Sequence, residues 1–99
     1  ATHVLVYGAS TATGTIAIQL LRMSGYTPIA LCSPHNFDLA RQRGASTVLD
    51  YAAQGVAEEI KAHSGGRLKY TLDCIGDEAS VATCYQAIQR PGGRYASLE

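Results

Sequence analysis

No charge of either sign is in excess in this 99-residue chain, where eight Lys and Arg balance eight Asp and Glu. No basic stripe stands out, which argues against nucleic acid and an anionic membrane surface as partners. No apolar run comes near the roughly 20 residues needed to span a bilayer. The charged leader and long apolar segment of a secretory signal are also missing. Cysteines are few and odd in number: Cys32, Cys74 and Cys84, each inside an apolar stretch. They make no disulfide framework and point to reduced thiols of an intracellular, cytoplasmic protein. His3, His35 and His63 are scattered, none with a metal-ligand partner at standard spacing, so no metal site is expected.

What the chain has is regular alternation, in a length suited to one domain. Apolar runs over 3–7, 28–32, 47–49, 69–74 and 94–97 read as strands. Helical periodicity between them falls over 14–24, 34–43, 54–63 and 78–89. The first helix carries Ile16, Leu20 and Met23 along one stripe, with Ala17 and Leu21 beside it, an arc wide enough to be buried by more than a sheet. The third helix turns Val56, Ala57 and Ile60 inward, and the last buries Val81, Ala82, Tyr85 and Ile88. Gly25 and Gly44 stop the first two helices. Without a hairpin signal, the sheet is expected to be parallel. The fold class is therefore α/β, a three-layer, doubly wound Rossmann fold around a five-stranded parallel sheet. Ligands of such sheets lie beyond the carboxyl ends of the strands, where strand order reverses. Those ends are the loops after Tyr7, Cys32, Leu49, Cys74 and Ser97.

The loop from Tyr7 to Gly14 organises the rest. A strand, a tight turn and a helix aim free backbone N–H groups and the positive end of a helix dipole at one spot, which favours a phosphate. Ala9, Thr11 and Gly14 occupy the three glycine positions of the dinucleotide fingerprint G-x-G-x-x-G. Taken alone, the same residues suit an ordinary βα turn whose small side chains let helix and strand pack closely. At the end of the second strand an Asp or Glu would bind the ribose hydroxyls of NAD. Here stand Cys32-Ser33-Pro34-His35-Asn36, with no carboxylate before Asp38. Ser33, the helix start and Asn36 can donate to a 2′-phosphate, so NADP is favoured over NAD. Ser33 equally suits an N-cap, and one hydroxyl can serve both roles.

Six motifs together carry a resemblance over essentially all 99 residues. They are Gly8-Ala9-Ser10-Thr11-Ala12-Thr13-Gly14, Arg43-Gly44-Ala45, Asp50-Tyr51, Ser64-Gly65-Gly66-Arg67, Asp73-Cys74-Ile75-Gly76 and Arg90-Pro91-Gly92-Gly93-Arg94. The chain resembles the cofactor-binding domain of zinc-independent medium-chain dehydrogenases/reductases, in the quinone-reductase and enoyl-reductase branch. Ser10-Thr11-Ala12-Thr13, the run from Cys32 to Ala40, and Leu72-Asp73-Cys74-Ile75 resemble the trans-acting enoyl reductases of fungal polyketide synthases.

That resemblance implies NADPH as cofactor and, as partner, the acyl carrier domain of a polyketide synthase bearing an enoyl thioester. The implied activity is hydride transfer to the β-carbon of that thioester, followed by protonation at the α-carbon. It implies that Ser10, Thr11, Ala12 and Thr13 hold the pyrophosphate, and that Ser33, Pro34, His35 and Asn36 surround the 2′-phosphate. Tyr51 would reach the same phosphate or the adenine face, or else cover the sheet edge. Gly76 would keep the cofactor channel open, or serve as a turn glycine. Leu98 and Glu99 would lie near the nicotinamide. Thr11 and Ala12 depart from the family, which often keeps glycines there. An N-terminal catalytic domain and a sixth strand are also implied, and neither is in these residues, so 1–99 reads as the cofactor domain of a larger two-domain reductase.

No proton donor or other catalytic residue is assigned; core packing best explains Tyr70, Tyr85 and Tyr95. A short-chain dehydrogenase is rejected because its Tyr-x-x-x-Lys is missing: Cys74 follows Tyr70 at that spacing, and Gln89 follows Tyr85. Quinone reduction on the same scaffold, or a non-catalytic nucleotide-binding regulatory module, would present the same residues.

Overall fold

Val4, Leu5 and Val6 are shut off from solvent, as a central parallel strand covered on both faces requires. The computed structural model describes residues 2–98. Strand β1 (His3–Tyr7) lies between β2 (Thr27–Cys32) and β4 (Tyr70–Asp73); β3 (Thr47–Asp50) adds outside β2, and β5 (Arg94–Ser97) outside β4. All four pairings are parallel, and the sheet order is β3-β2-β1-β4-β5. The expected five-stranded, doubly wound sheet is thus what forms. Helices α1 (Ala12–Met23) and α2 (Phe37–Arg43) cover one face, where Ala17, Ile18 and Ala40 meet Val6, Ala30, Cys32 and Val48. Helices α3 (Val56–Ser64) and α4 (Glu78–Ala87) cover the other, where Val56, Ala57, Ile60, Cys84 and Ala87 meet Leu5, Tyr7, Ile29 and Leu31. The chain moves to one side of β1 through β2 and β3, then returns to its other side through β4 and β5. Strand order therefore reverses at the carboxyl ends of β1 and β4, and a crevice opens there.

Several local expectations are corrected. Helix α1 begins at Ala12, two residues before Gly14, because Thr11 caps it: the Thr11 hydroxyl oxygen accepts the Gly14 N–H at 3.0 Å. Its buried residues are Gly14, Ala17 and Ile18, while Ile16, Leu20 and Met23 stand exposed at 57%, 58% and 83%. The α1 stripe that meets the sheet is the one through Ala17, whose small side chain lets the helix approach. In α4 the buried residues are Ser80, Cys84 and Ala87; Ala82 and Tyr85 face solvent, and Val81 is half-buried. Tyr70 is exposed as well, edge-on to Tyr26, so neither it nor Tyr85 is a core residue. Tyr95 is half-buried and stacks on Tyr85. The single helix expected over 34–43 is a turn of 3-10 helix, Pro34–Asn36, followed by α2. No helix among the described residues is long and apolar enough to cross a membrane.

Candidate functional site

A cleft of about 270 Å³ sits at the switch point, lined by residues from the ends of β1, β2, β3 and β4: Tyr7, Gly8, Ser10, Thr11, Cys32, Ser33, Tyr51, Ile75 and Asp77 among them. Its floor is the turn after β1. The N–H groups of Gly8 and Ala9 both donate to the Leu31 carbonyl at 3.0 Å, tying the turn to β2. Gly8 carries the positive φ of the turn, 84°, one residue before the first glycine position of the fingerprint. That shift explains why Ala9 is tolerated: it is fully buried and takes no left-handed conformation. The Thr11 hydroxyl donates to the Gly8 carbonyl at 2.8 Å while its oxygen caps Gly14. Gly14 is the one fingerprint glycine that sterics demand. A Cβ there would overlap the Gly8 carbonyl oxygen and lie 2.9 Å from Ala9 Cα.

This geometry leaves the N–H groups of Ser10, Ala12 and Thr13 without a partner among the described residues. They stand at the start of a 12-residue helix with exposed Ala12 and Thr13 side chains, an arrangement that accepts an anion. At the β2 end, Ser33 makes no side-chain cap bond to the following helix, so its hydroxyl is not consumed as an N-cap. Pro34 and His35 are exposed and Asn36 half-buried beside it, the Asn36 amide 3.4 Å from the His35 ring. Asp38 faces away, 3.5 Å from Arg41 on the exposed side of α2. Tyr51 stands edge-on to Tyr7, ring centres 6.1 Å apart, as part of the cleft wall.

On the β4 side, Gly76 lies between Ile75 and Asp77 with φ 79°, and its N–H donates to the Asp73 carboxylate at 2.8 Å. Leu98 follows β5 with its N–H on the Asp73 carbonyl at 2.8 Å and its side chain 40% exposed. Glu99 lies outside the described residues. Of the residues expected at the site, Ser10, Thr11, Ser33 and Tyr51 line the cleft directly. Ala12 and Thr13 follow Thr11, Pro34, His35 and Asn36 follow Ser33, Gly76 lies in the loop after β4, and Leu98 stands beyond β5. Tyr7, Cys32, Ile75 and Asp77 also line the cleft and were not singled out. The strand-end rule applied to side chains, and not only to loops, reaches Tyr7 and Cys32 from the sequence.

Tyr7 and Cys32 in the cleft, and Cys74 beside it, are held in their protonated forms. Burial, then the charges of Asp77, Cys84, Tyr51 and Asp73, push the Tyr7 hydroxyl up to about 12. Burial raises the Cys32 and Cys74 thiols, reinforced by Asp50 and Asp73 respectively. Protonated thiols are inert. Among the described residues no three His, Cys, Asp or Glu side chains gather to hold a metal ion.

Fold and cleft together define a doubly wound Rossmann domain with an open crevice at its switch point. The family model for zinc-binding dehydrogenases matches residues 12–98, and the chain belongs to that family. Trans-enoyl reductase TwmE of Talaromyces wortmannii is 73% identical over 96 residues, covering 97% of this chain and 26% of that protein. The enoyl reductase component lovC of the lovastatin nonaketide synthase, from Aspergillus terreus, is 55% identical, with the same 97% and 26% coverage. The chain thus spans about a quarter of the length of these relatives. Escherichia coli quinone oxidoreductase, solved in complex with NADPH, superposes with a TM-score of 0.81 over 99% of this chain and 32% of its own. At 21% identity that likeness shows the fold alone.

Proposed function

We propose that this chain is the NADPH-binding domain of a trans-acting enoyl reductase, one that reduces the α,β-double bond of polyketide thioesters held on the acyl carrier domain of a partner synthase. The reading rests on one observation above others. The cleft offers unpaired N–H groups at β1 and an uncapped hydroxyl, with no lining carboxylate, at β2. Its chemistry suits a pyrophosphate followed by a 2′-phosphate. Names of relatives such as TwmE and lovC support the enoyl-reductase activity and a synthase partner.

In this reading the free N–H groups of Ser10, Ala12 and Thr13 bind the pyrophosphate, whereas Thr11, expected there too, spends its N–H and its hydroxyl on the Gly8 carbonyl and shapes the turn instead. Ser33, Pro34, His35 and Asn36 surround the 2′-phosphate, and Tyr51 closes over it or over the adenine. Gly76 keeps the β4 side open, and Leu98 stands toward the nicotinamide. When bound, the cofactor supplies the hydride. The protein's contribution is orientation and a fixed field, and a catalytic domain outside these residues holds the substrate.

Calorimetric titration with NADPH and NADH tests this. NADPH binds the parent chain more tightly, and Ser33→Asp weakens NADPH selectively by on the order of 2–3 kcal/mol, a lost charge-assisted hydrogen bond plus repulsion. Equal affinity for both cofactors would remove the 2′-phosphate assignment and leave the fold intact.

A further inference from the structure

Asp73, at the carboxyl end of β4, is fully buried, and no ion pair reaches it among the described residues. A buried carboxylate without a counter-ion is costly unless donors surround it. Four do. Oδ1 accepts the Ile75 and Gly76 N–H groups at 3.0 and 2.8 Å, and Oδ2 accepts the Ser80 and Tyr95 hydroxyls at 2.7 and 2.8 Å. These donors come from the β4–α4 loop, from α4 and from β5. The Asp73 carbonyl also takes the N–H of Leu98, where the chain leaves β5. One residue therefore fixes the turn after β4 and the exit of β5 at once.

The consequence reaches the cleft through Ile75. Its side chain closes over Gly8: a Cβ placed on Gly8 would lie 2.8 Å from Ile75 Cγ1 and 2.9 Å from Cδ1. The wall facing the phosphate turn is set by where the loop holds Ile75. Ser33 and Tyr51 lie at the ends of β2 and β3, the side that receives the adenosine half of a dinucleotide in such sheets; the other half extends past the switch point toward β4 and β5.

We propose that Asp73 is a positioning residue for the nicotinamide half of the cofactor. Its carboxylate holds the Ile75–Gly76 backbone and Tyr95, and through them the β4–β5 end of the cleft. This rests on the cleft being a nicotinamide-cofactor site, and the test separates the two claims by using two probes. NADPH spans the whole cleft, whereas 2′,5′-ADP occupies only its adenosine side. In the parent chain both bind, NADPH more tightly. Asp73→Asn weakens NADPH by on the order of tenfold, because the amide nitrogen that replaces one carboxylate oxygen cannot accept the two bonds made there, and leaves 2′,5′-ADP within about twofold. Tyr95→Phe removes one hydroxyl and spares both backbone bonds. It shifts the same ratio in the same direction by a smaller factor, and serves if Asp73→Asn fails to fold. Amide exchange at Gly76 accelerates in Asp73→Asn while the β1 amides stay protected.

A general structural role would weaken both probes equally, and that result overturns the proposal. So does a parent chain in which NADPH binds no better than 2′,5′-ADP. Binding of neither probe would overturn the cofactor reading itself and the positioning role with it.

Discussion

Gly14→Ala sets two physical effects against each other. Gly14 is the third residue of α1, where alanine is the better helix former by about 1 kcal/mol. Helix propensity alone therefore expects a stabilised chain. The packing says otherwise, because the new methyl would overlap the Gly8 carbonyl oxygen and press to 2.9 Å from Ala9 Cα and 3.0 Å from the Gly8 carbonyl carbon. All three are backbone atoms, held in turn by the Gly8 and Ala9 N–H bonds to Leu31, so no side chain can rotate away. Overpacking typically costs about 1–3 kcal/mol and more where nothing yields. Set against the propensity gain, the net loss is about 2 kcal/mol. For a domain of this size that lowers Tm by roughly 10 °C. Thermal melts followed by circular dichroism read it directly. An unchanged or raised Tm would refute the argument that close approach of α1 to the β1 turn is what requires glycine.

Other outcomes follow from the same structure. Thr11→Ala removes the α1 cap and costs about 1 kcal/mol in denaturant melts, while Thr11→Ser retains most of it; equal losses would contradict a capping role for the hydroxyl. Leu20→Gln on the exposed α1 stripe changes the chain's stability by no more than about 0.5 kcal/mol, whereas Ile18→Ala on the buried face costs about 2–5 kcal/mol; reversed sizes would mean the helix faces the other way. Burial alone would raise the Asp73 carboxyl, but Ser80, Gly76, Ile75 and Tyr95 outweigh it and hold the group below its usual value. The unfolded chain thus takes up this proton more readily than the folded one. The stability Asp73 supplies is complete above about pH 4 and is lost as pH falls through the lower folded value. Asp73→Asn loses Tm less steeply below about pH 4 than the parent, and parallel curves would assign acid unfolding to other carboxylates. The Cys84 thiol, pushed up to about 12 by burial and then by Asp73, reacts with a thiol reagent only as fast as the chain unfolds.

The architecture was legible because periodicity and turn residues agree over most of the chain. The Val4–Val6 run and the Pro91-Gly92-Gly93 turn placed β1 and β5 at the bounds they take. Helix faces were less legible. In α1 nearly every position facing a neighbour is apolar, so the period alone does not choose between the Ile16 stripe and the Ala17 stripe. Close approach to the sheet chooses the smaller residues. In α4 the buried residues Ser80 and Cys84 are small and partly polar, and Ser80 is inside because Asp73 needs its hydroxyl. The tight turn after β1 was legible as a spacing, though the φ-positive residue is Gly8 and not the fingerprint position Ala9. The Asp73 cluster could not be read from spacing. Its side-chain donors lie seven and 22 residues away, and only the β4–β5 pairing brings Tyr95 within reach.

Amide mapping by nuclear magnetic resonance, titrating NADPH into the isotopically labelled chain, tests the cofactor cleft most directly. The account predicts the largest shifts at Ser10, Ala12 and Thr13, then at Ser33 and Tyr51, with Ile75 and Gly76 following at the far end. Shifts confined to the opposite side of the molecule, in the groove lined by Lys61, Gln89 and Arg90, would contradict it.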